Sequence, residues 1–249
     1  MREGVELGLI KRSIFPVLCS SAKHGIGTSR ILDFVINSCP PPQDMPAKKA
    51  GKKEYTCDSK DTTAAFVFKT SVEQHLGEVS YFKLYGGELK EGQDLINTRT
   101  GNKERVSQLF ILNGKNREKV DHIVAGDIAV TIKMKDVKTG DSLMDMKNGS
   151  AGFESFAIPQ PLHTVAIKAH SSTDDEKMGS VLHEMHRTEP TIEIEFSREL
   201  KQMLIKCQGE FHINTIKWYL NKMHKIEVDF FTPKVPYRET ITKAARADY

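Results

Sequence analysis

EVSYFKLYGGELKEGQDLINTRTG, residues 78–101, alternates apolar and polar side chains with a period of two and is punctuated by Gly86, Gly87, Gly92 and Gly101. That pattern predicts half-buried strands joined by tight turns. The same period runs outward through TAAFVFKT (63–70), KERVSQLFIL (103–112) and DIAVTIKM (127–134), separated by Gly, Asn and Asp turns. Several short strands at this spacing predict a β-barrel over residues 61–148.

Beyond it, NGSAG (148–152) breaks the period, and Gly149 and Gly152 are expected to permit hinge motion. The order then changes. Strand 163–170, helix 174–187, strands 191–197 and 201–207, helix 211–224 and strand 226–231 give the βαββαβ order of a ferredoxin-like domain, placed at 153–242. Met178, Val181, Leu182 and Met185 form one apolar stripe, and Ile213, Ile216, Leu220 and Met223 another; both read as core. The fold class is therefore mixed α and β, multidomain.

Upstream, residues 44–60 hold five lysines against three acids and few apolar side chains, the composition of a linker. Before it, IFPVLC (14–19) reads as a strand. TSRILDFVINSC (28–39) reads as a helix, capped by Thr28 or Ser29 and ended by Pro40, Pro41 and Pro42. A strand, a Gly-containing loop and one helix cannot enclose a core. Residues 1–43 are expected to be the end of a domain whose larger part lies elsewhere.

The 249 residues carry 36 basic and 33 acidic side chains, a net charge of +3, too small for the whole molecule to act as a polycation toward nucleic acid or lipid. Any nucleic-acid contact must be local. No apolar run approaches the roughly 20 residues of a membrane helix, so no membrane partner is expected, nor does the N-terminal sequence resemble a secretory signal. Cys19, Cys39, Cys57 and Cys207 show no C-x-x-C pair and read as reduced thiols.

Chemistry-bearing motifs are sparse. The phosphate-cradling G-x-x-x-x-G-K-[ST] loop is absent, so this chain alone is not expected to hydrolyse a nucleotide. Gly25 and Gly27 lack the third glycine of a dinucleotide fingerprint, because Arg30 stands in its place, and they read as a turn. Asn102-Lys103-Glu104-Arg105 begins like a guanine-reading N-K-x-D sequence without its carboxylate. His183 and His186 form an i, i+3 pair with neither H-E-x-x-H spacing nor a third ligand, so no metal site is expected. No catalytic residue is assigned.

Two features carry more. Ser21, Ala22 and Lys23 follow the apolar run at 14–19, where backbone amides at a strand-to-loop turn can donate to the O6 oxygen of guanine, which adenine lacks. In residues 99–119, Arg99, Lys103, Arg105, Lys115, Arg117 and Lys119 face only Glu104 and Glu118. On neighbouring hairpins these six cations would meet a phosphate backbone with salt-dependent affinity. The competing reading is a solvated polar face.

Taken in order, these segments resemble elongation factor G and related translational GTPases over nearly the whole chain. FPVLCSSAKHGIG (15–27) resembles the last guanine-recognition element. GEVSYFKLYGGELKEG (77–92), NREKVDHIVAGDIAV (116–130) and KTGDSL (138–143) resemble the domain II barrel. DDEKMGSVLHEMHRTEPT (174–191), QGEFHI (208–213) and PKVPYRETI (233–241) resemble domain III and its exit. The resemblance implies a cytoplasmic, monomeric factor that binds the ribosome, including small-subunit ribosomal RNA, and uses GTP with Mg²⁺ to move tRNA and messenger RNA. It implies that 1–43 is the remnant of the GTP-binding domain, that 243–249 begins the connection to a domain IV, and that no nucleotide binds stably to this segment alone. It also implies that Ser21, Ala22 and Lys23 form the guanine loop and that Gly209, Glu210 and His212 lie on the face relaying nucleotide state. Gly209 would permit a tight turn there, and Glu210 would complement the positive helix end. Cys207, Phe211 and Pro236 depart from the usual pattern and leave open a divergent paralogue acting in ribosome recycling. A stand-alone RNA-binding module is the other alternative.

Overall fold

A computed structural model describes residues 2–73, 77–114, 116–148, 151–240 and 243. They fall into two compact units, residues 1–156 and 157–249.

The first unit begins with helices α1 (Arg2–Ile10) and α2 (Thr28–Ser38). Helix α2 lies where its periodicity predicts, whereas α1 is not legible in the sequence pattern. The expected strand at 14–19 does not form: Phe15 and Val17 are 79% and 91% exposed, and the segment has no strand partner among the described residues. A strand needs a neighbour to satisfy its amides, and an apolar run alone does not supply one.

Next comes a hairpin of β1 (Lys48–Ala50) and β2 (Lys53–Tyr55), inside the stretch whose composition suggests a linker. Its lysines mislead. Lys53 Nζ donates to Asp61 Oδ1 at 2.5 Å and lies 4.7 Å from the Tyr55 ring centroid, while Ala50, Tyr55 and Cys57 are buried. Long cationic side chains leave their heads near water while the backbone beside them packs.

The barrel follows: β3 (Ala64–Glu73), β4 (Gly77–Gly86), β5 (Glu88–Lys90), β6 (Asp94–Asn97), β7 (Lys103–Arg105), β8 (Leu109–Asn113), β9 (Asn116–Val120), β10 (His122–Val124), β11 (Ile128–Ile132) and β12 (Ser142–Met144). Eight of them form an antiparallel sheet in the order β7-β6-β12-β3-β4-β11-β8-β9, and β5 pairs with β10. The turn after β5 draws the sheet ends together. Glu91 N–H donates to the Asp121 carbonyl at 2.8 Å, and Gly92 N–H to that of Val106 at 2.7 Å. Val67, Phe82, Leu84, Leu89, Leu95, Leu109 and Leu143 fill the interior, each contributing about 1.5–3 kcal/mol by leaving water.

In a separate cluster of the same unit, Tyr55, Phe66 and Tyr85 surround Phe153, whose ring centroid lies 5.4, 6.3 and 5.1 Å from theirs. Phe153 N–H also donates to Ser142 Oγ at 2.9 Å. Gly152, expected to be a hinge, is instead packed: a Cβ there would lie 2.4 Å from Thr98 Oγ1. Gly149 lies outside the described residues.

The second unit comprises β13 (His163–Ala169), α3 (Ser172–Thr188), β14 (Glu193–Ser197), β15 (Gln202–Cys207), α4 (Glu210–His224) and β16 (Val228–Phe231). Its antiparallel sheet runs β14-β15-β13-β16, the ferredoxin-like arrangement. Both helices bury the stripes read from the sequence: Met178, Val181 and Leu182 from α3, and Ile213, Ile216 and Leu220 from α4, pack with Val165, Ile167 and Ile205. Met223, assigned to the α4 stripe, is instead 52% exposed. Ser171 caps α3, its hydroxyl accepting from Thr173 N–H at 3.3 Å.

Candidate functional site

Three sets of residues are candidates, and their surroundings differ. Around Ser21, Ala22 and Lys23 the chain makes a tight loop. Ser21 N–H donates to the Ile26 carbonyl at 3.0 Å, and Ile26 N–H returns the bond at 3.1 Å. Gly27, with φ of 82°, lies in the left-handed region, and a Cβ there would sit 2.9 Å from the Cys19 carbonyl oxygen, so glycine is required. Ser21 thus spends its amide within the loop. Ala22 and Lys23 are exposed, and among the described residues neither amide donates to a backbone carbonyl. Their two N–H groups suit an acceptor oxygen.

The basic set is not an open patch. Arg99 Nε donates to Asp141 Oδ1 at 2.7 Å and its Nη2 to Asp141 Oδ2 at 3.0 Å and the Asp136 carbonyl at 2.9 Å. The hydrogen bonds to Asp141 outweigh the opposing effect of burial and raise the guanidinium pKa above its ordinary value. Lys103 Nζ lies 2.9 Å from Asp94, which Arg105 also approaches at 4.0 Å, and Lys119 lies 2.9 Å from Glu91. Arg117 pairs with Glu73. The Lys103 hydrogen bond holds the Asp94 carboxyl below the usual carboxylate range. Lys115 lies outside the described residues.

Sequence counting within residues 99–119 finds two opposing acids; the fold supplies five others, Glu73, Glu91, Asp94, Asp136 and Asp141, from other strands and loops. Of the two acids counted, Glu104 is buried and accepts from the Lys135 and Asp136 amides at 3.0 and 3.2 Å. It organises a turn rather than tempering a surface.

Gly209, Glu210 and His212 belong to the second unit, at the start of α4. Glu210 occupies the first turn, where a carboxylate complements the helix dipole. The expected tight turn at Gly209 is absent: its φ of 161° is extended backbone open to any residue, and a Cβ there would meet nothing within 4 Å. His186 Nδ1 lies 2.6 Å from the Ile192 carbonyl oxygen, which gives the second histidine of the His183–His186 pair a structural partner. Among the described residues no cluster of three or more His, Cys, Asp or Glu side chains is arranged to hold a metal. No described helix is long and apolar enough to cross a membrane.

Residues 62–146 match the family profile described as elongation factor G domain 2, and residues 158–232 match that of elongation factor G, domain III. Elongation factor G 1 of Bdellovibrio bacteriovorus is 33% identical over 256 residues, covering 100% of this chain and 36% of the relative. A crystal structure of a Thermus thermophilus protein superposes with a TM-score of 0.76 at 28% identity, over 97% of this chain and 34% of that one. The chain thus spans about a third of the length of the proteins it matches.

Proposed function

The chain belongs to the elongation factor G family, which it matches through two consecutive domains, and from that premise we propose that it serves in a translational GTPase promoting movement of tRNA and messenger RNA on the ribosome. The single observation that carries this reading is the colinear match of barrel and ferredoxin-like domain, in that order, along one chain. In this reading residues 61–148 are domain II, residues 153–242 domain III, and residues 1–43 the end of the GTP-binding domain. The factor acts in the cytoplasm as a monomer, with the ribosome and its small-subunit RNA as partners.

Within this chain the work is holding and relaying. In this reading the amides of the exposed residues Ala22 and Lys23, which donate to no backbone carbonyl, meet the guanine oxygen of GTP, while nothing among the described residues has the Gly-rich lysine loop that would grip the phosphates. GTP with Mg²⁺ supplies the hydrolysable phosphoryl bond. Glu210 and His212, at the head of α4, lie on the element proposed to feel nucleotide state.

The test is GTP hydrolysis with purified ribosomes, comparing this chain with a polypeptide that joins it to a complete GTP-binding domain. Turnover is expected only for the longer polypeptide. Hydrolysis by this chain alone, or none by the longer one, overturns the assignment.

A further inference from the structure

The described cations of the 99–119 set are ion-paired; the lysines of α4 and its C-cap are not. Lys217, Lys222 and Lys225 are exposed, and among the described residues no carboxylate pairs with them. Glu210, in the first turn, is the sole acid in the helix. The ridge of α4 opposite its buried Ile213, Ile216 and Leu220 carries Phe211, Thr215, Trp218 and Lys222, at i, i+4, i+7 and i+11. Phe211 is 86% exposed and Trp218 57%. Two large aromatic side chains on the outer line of a helix, about 10 Å apart by the helical rise, stand outside the core of this domain.

We propose that this ridge is a stacking surface for single-stranded RNA, with Phe211 and Trp218 against base faces and Lys222 and Lys225 toward phosphates. The charge decides the occupant. Unpaired cations on the same face as exposed aromatic rings match a polyanion bearing flat π-faces. Tyr219, the remaining aromatic side chain of the helix's second half, packs toward the core, away from the ridge. On the sheet, where ferredoxin-like RNA binders commonly place their aromatics, Glu193 and Glu195 both engage Lys206, leaving that charge cancelled.

This inference deepens the ribosomal reading by naming a surface for RNA, and the two fail separately. Trp218 is the single tryptophan of the chain, so its fluorescence reports the ridge alone. Titration of the 249-residue chain with single-stranded RNA octamers is expected to quench it. Raising salt should weaken binding with a log–log slope of about −1.4 for two phosphate contacts. Binding followed by anisotropy of a labelled octamer should fall about tenfold or more in F211A and W218A, and further in the K222E/K225E double variant. K49E, on the β1–β2 hairpin, should leave it unchanged.

Absence of quenching together with absence of octamer binding overturns the proposal. So does octamer binding that survives W218A and F211A, or quenching by poly-glutamate equal to that by RNA, which would assign the ridge to an acidic protein partner. Ribosome co-sedimentation kept while RNA leaves Trp218 unquenched removes the stacking surface and spares the ribosomal role. Co-sedimentation lost while RNA still quenches removes the ribosomal role and upholds the surface.

Discussion

Arg99 Nε lies 2.7 Å from Asp141 Oδ1, and the Asp141 side chain is only 4% exposed while that of Arg99 is 40% exposed. The carboxylate is the inner, heavily committed member of the pair: Asn97 Nδ2 and the Lys138 amide also donate to it, at 2.8 and 2.9 Å. Removing it takes a shared acceptor from three residues, Arg99, Asn97 and Lys138. Asp141→Ala is therefore expected to destabilise the barrel by about 2–4 kcal/mol. Arg99→Ala should cost measurably too, because it leaves a buried carboxylate with only the Asn97 and Lys138 donors. Urea unfolding of both variants checks this, and a change below about 0.5 kcal/mol for Asp141→Ala would contradict it.

Thr131 gives the opposite sign. Its hydroxyl is buried in the barrel and has no hydrogen-bond partner among the described residues. Thr131→Val removes the stranded oxygen at nearly constant shape and should stabilise by about 1 kcal/mol. Thr131→Ser keeps the hydroxyl and deletes a methyl, and should destabilise. The pair of urea midpoints, moving in opposite directions, is the measurement.

Arg117, on β9, pairs with Glu73, on β3, both side chains about a quarter to a third exposed. Arg117→Glu should lower the thermal midpoint by setting two carboxylates together, at a cost of about 1 kcal/mol. The swapped double variant, Arg117→Glu with Glu73→Arg, should recover most of the loss. If it does not, the arginine is held for something other than this pairing, and a phosphate contact returns as its explanation.

His170 sits between Asp229, 3.0 Å from its Nε2, and Glu227, 3.4 Å from Nδ1. The hydrogen bond to Asp229 is the main cause of a pKa raised above the ordinary histidine value, with the charges of Asp229 and Glu227 adding to it. A raised folded-state pKa means that the interaction stabilises fully below about pH 6.5 and is lost as pH rises through the folded value. NMR titration should place His170 above about 6.5, and Asp229→Asn should bring it down. An unshifted His170, or one indifferent to Asp229, contradicts the geometry.

Period-two alternation locates the barrel because its interior positions, Val67, Phe82, Leu84 and Leu143, are set by burial, which sequence records directly. The βαββαβ order is legible for the same reason, through the stripes of α3 and α4. The β1–β2 hairpin is not: Tyr55 is a single buried aromatic among lysines, and its burial depends on Phe66, Tyr85 and Phe153, which are distant in sequence. Charge pairing is opaque for a related reason. Asp141 lies 42 residues from Arg99 and Glu73 lies 44 from Arg117, separations over which counting neighbours has no meaning. The ridge of α4 is readable in principle, since Phe211, Trp218 and Lys222 occupy the spacing complementary to the core stripe. The apolar stripe dominates the periodic signal, and two aromatics outside it look like interruptions of the pattern rather than a face of their own.

The aromatic socket that holds Phe153 moves the working edge of the barrel several residues past its last strand. Cutting the gene after Met144, where the sheet ends, would leave Tyr55, Phe66 and Tyr85 lining an open apolar hole, and Ser142 Oγ without the amide it accepts from. An excised barrel that is to stay soluble must therefore carry its tail through Phe156, whose ring lies 6.0 Å from that of Phe66. The polypeptide leaving this unit is fastened by a plug of its own making, so the seam at which a genetic engineer can safely cut is written in rings rather than in strands.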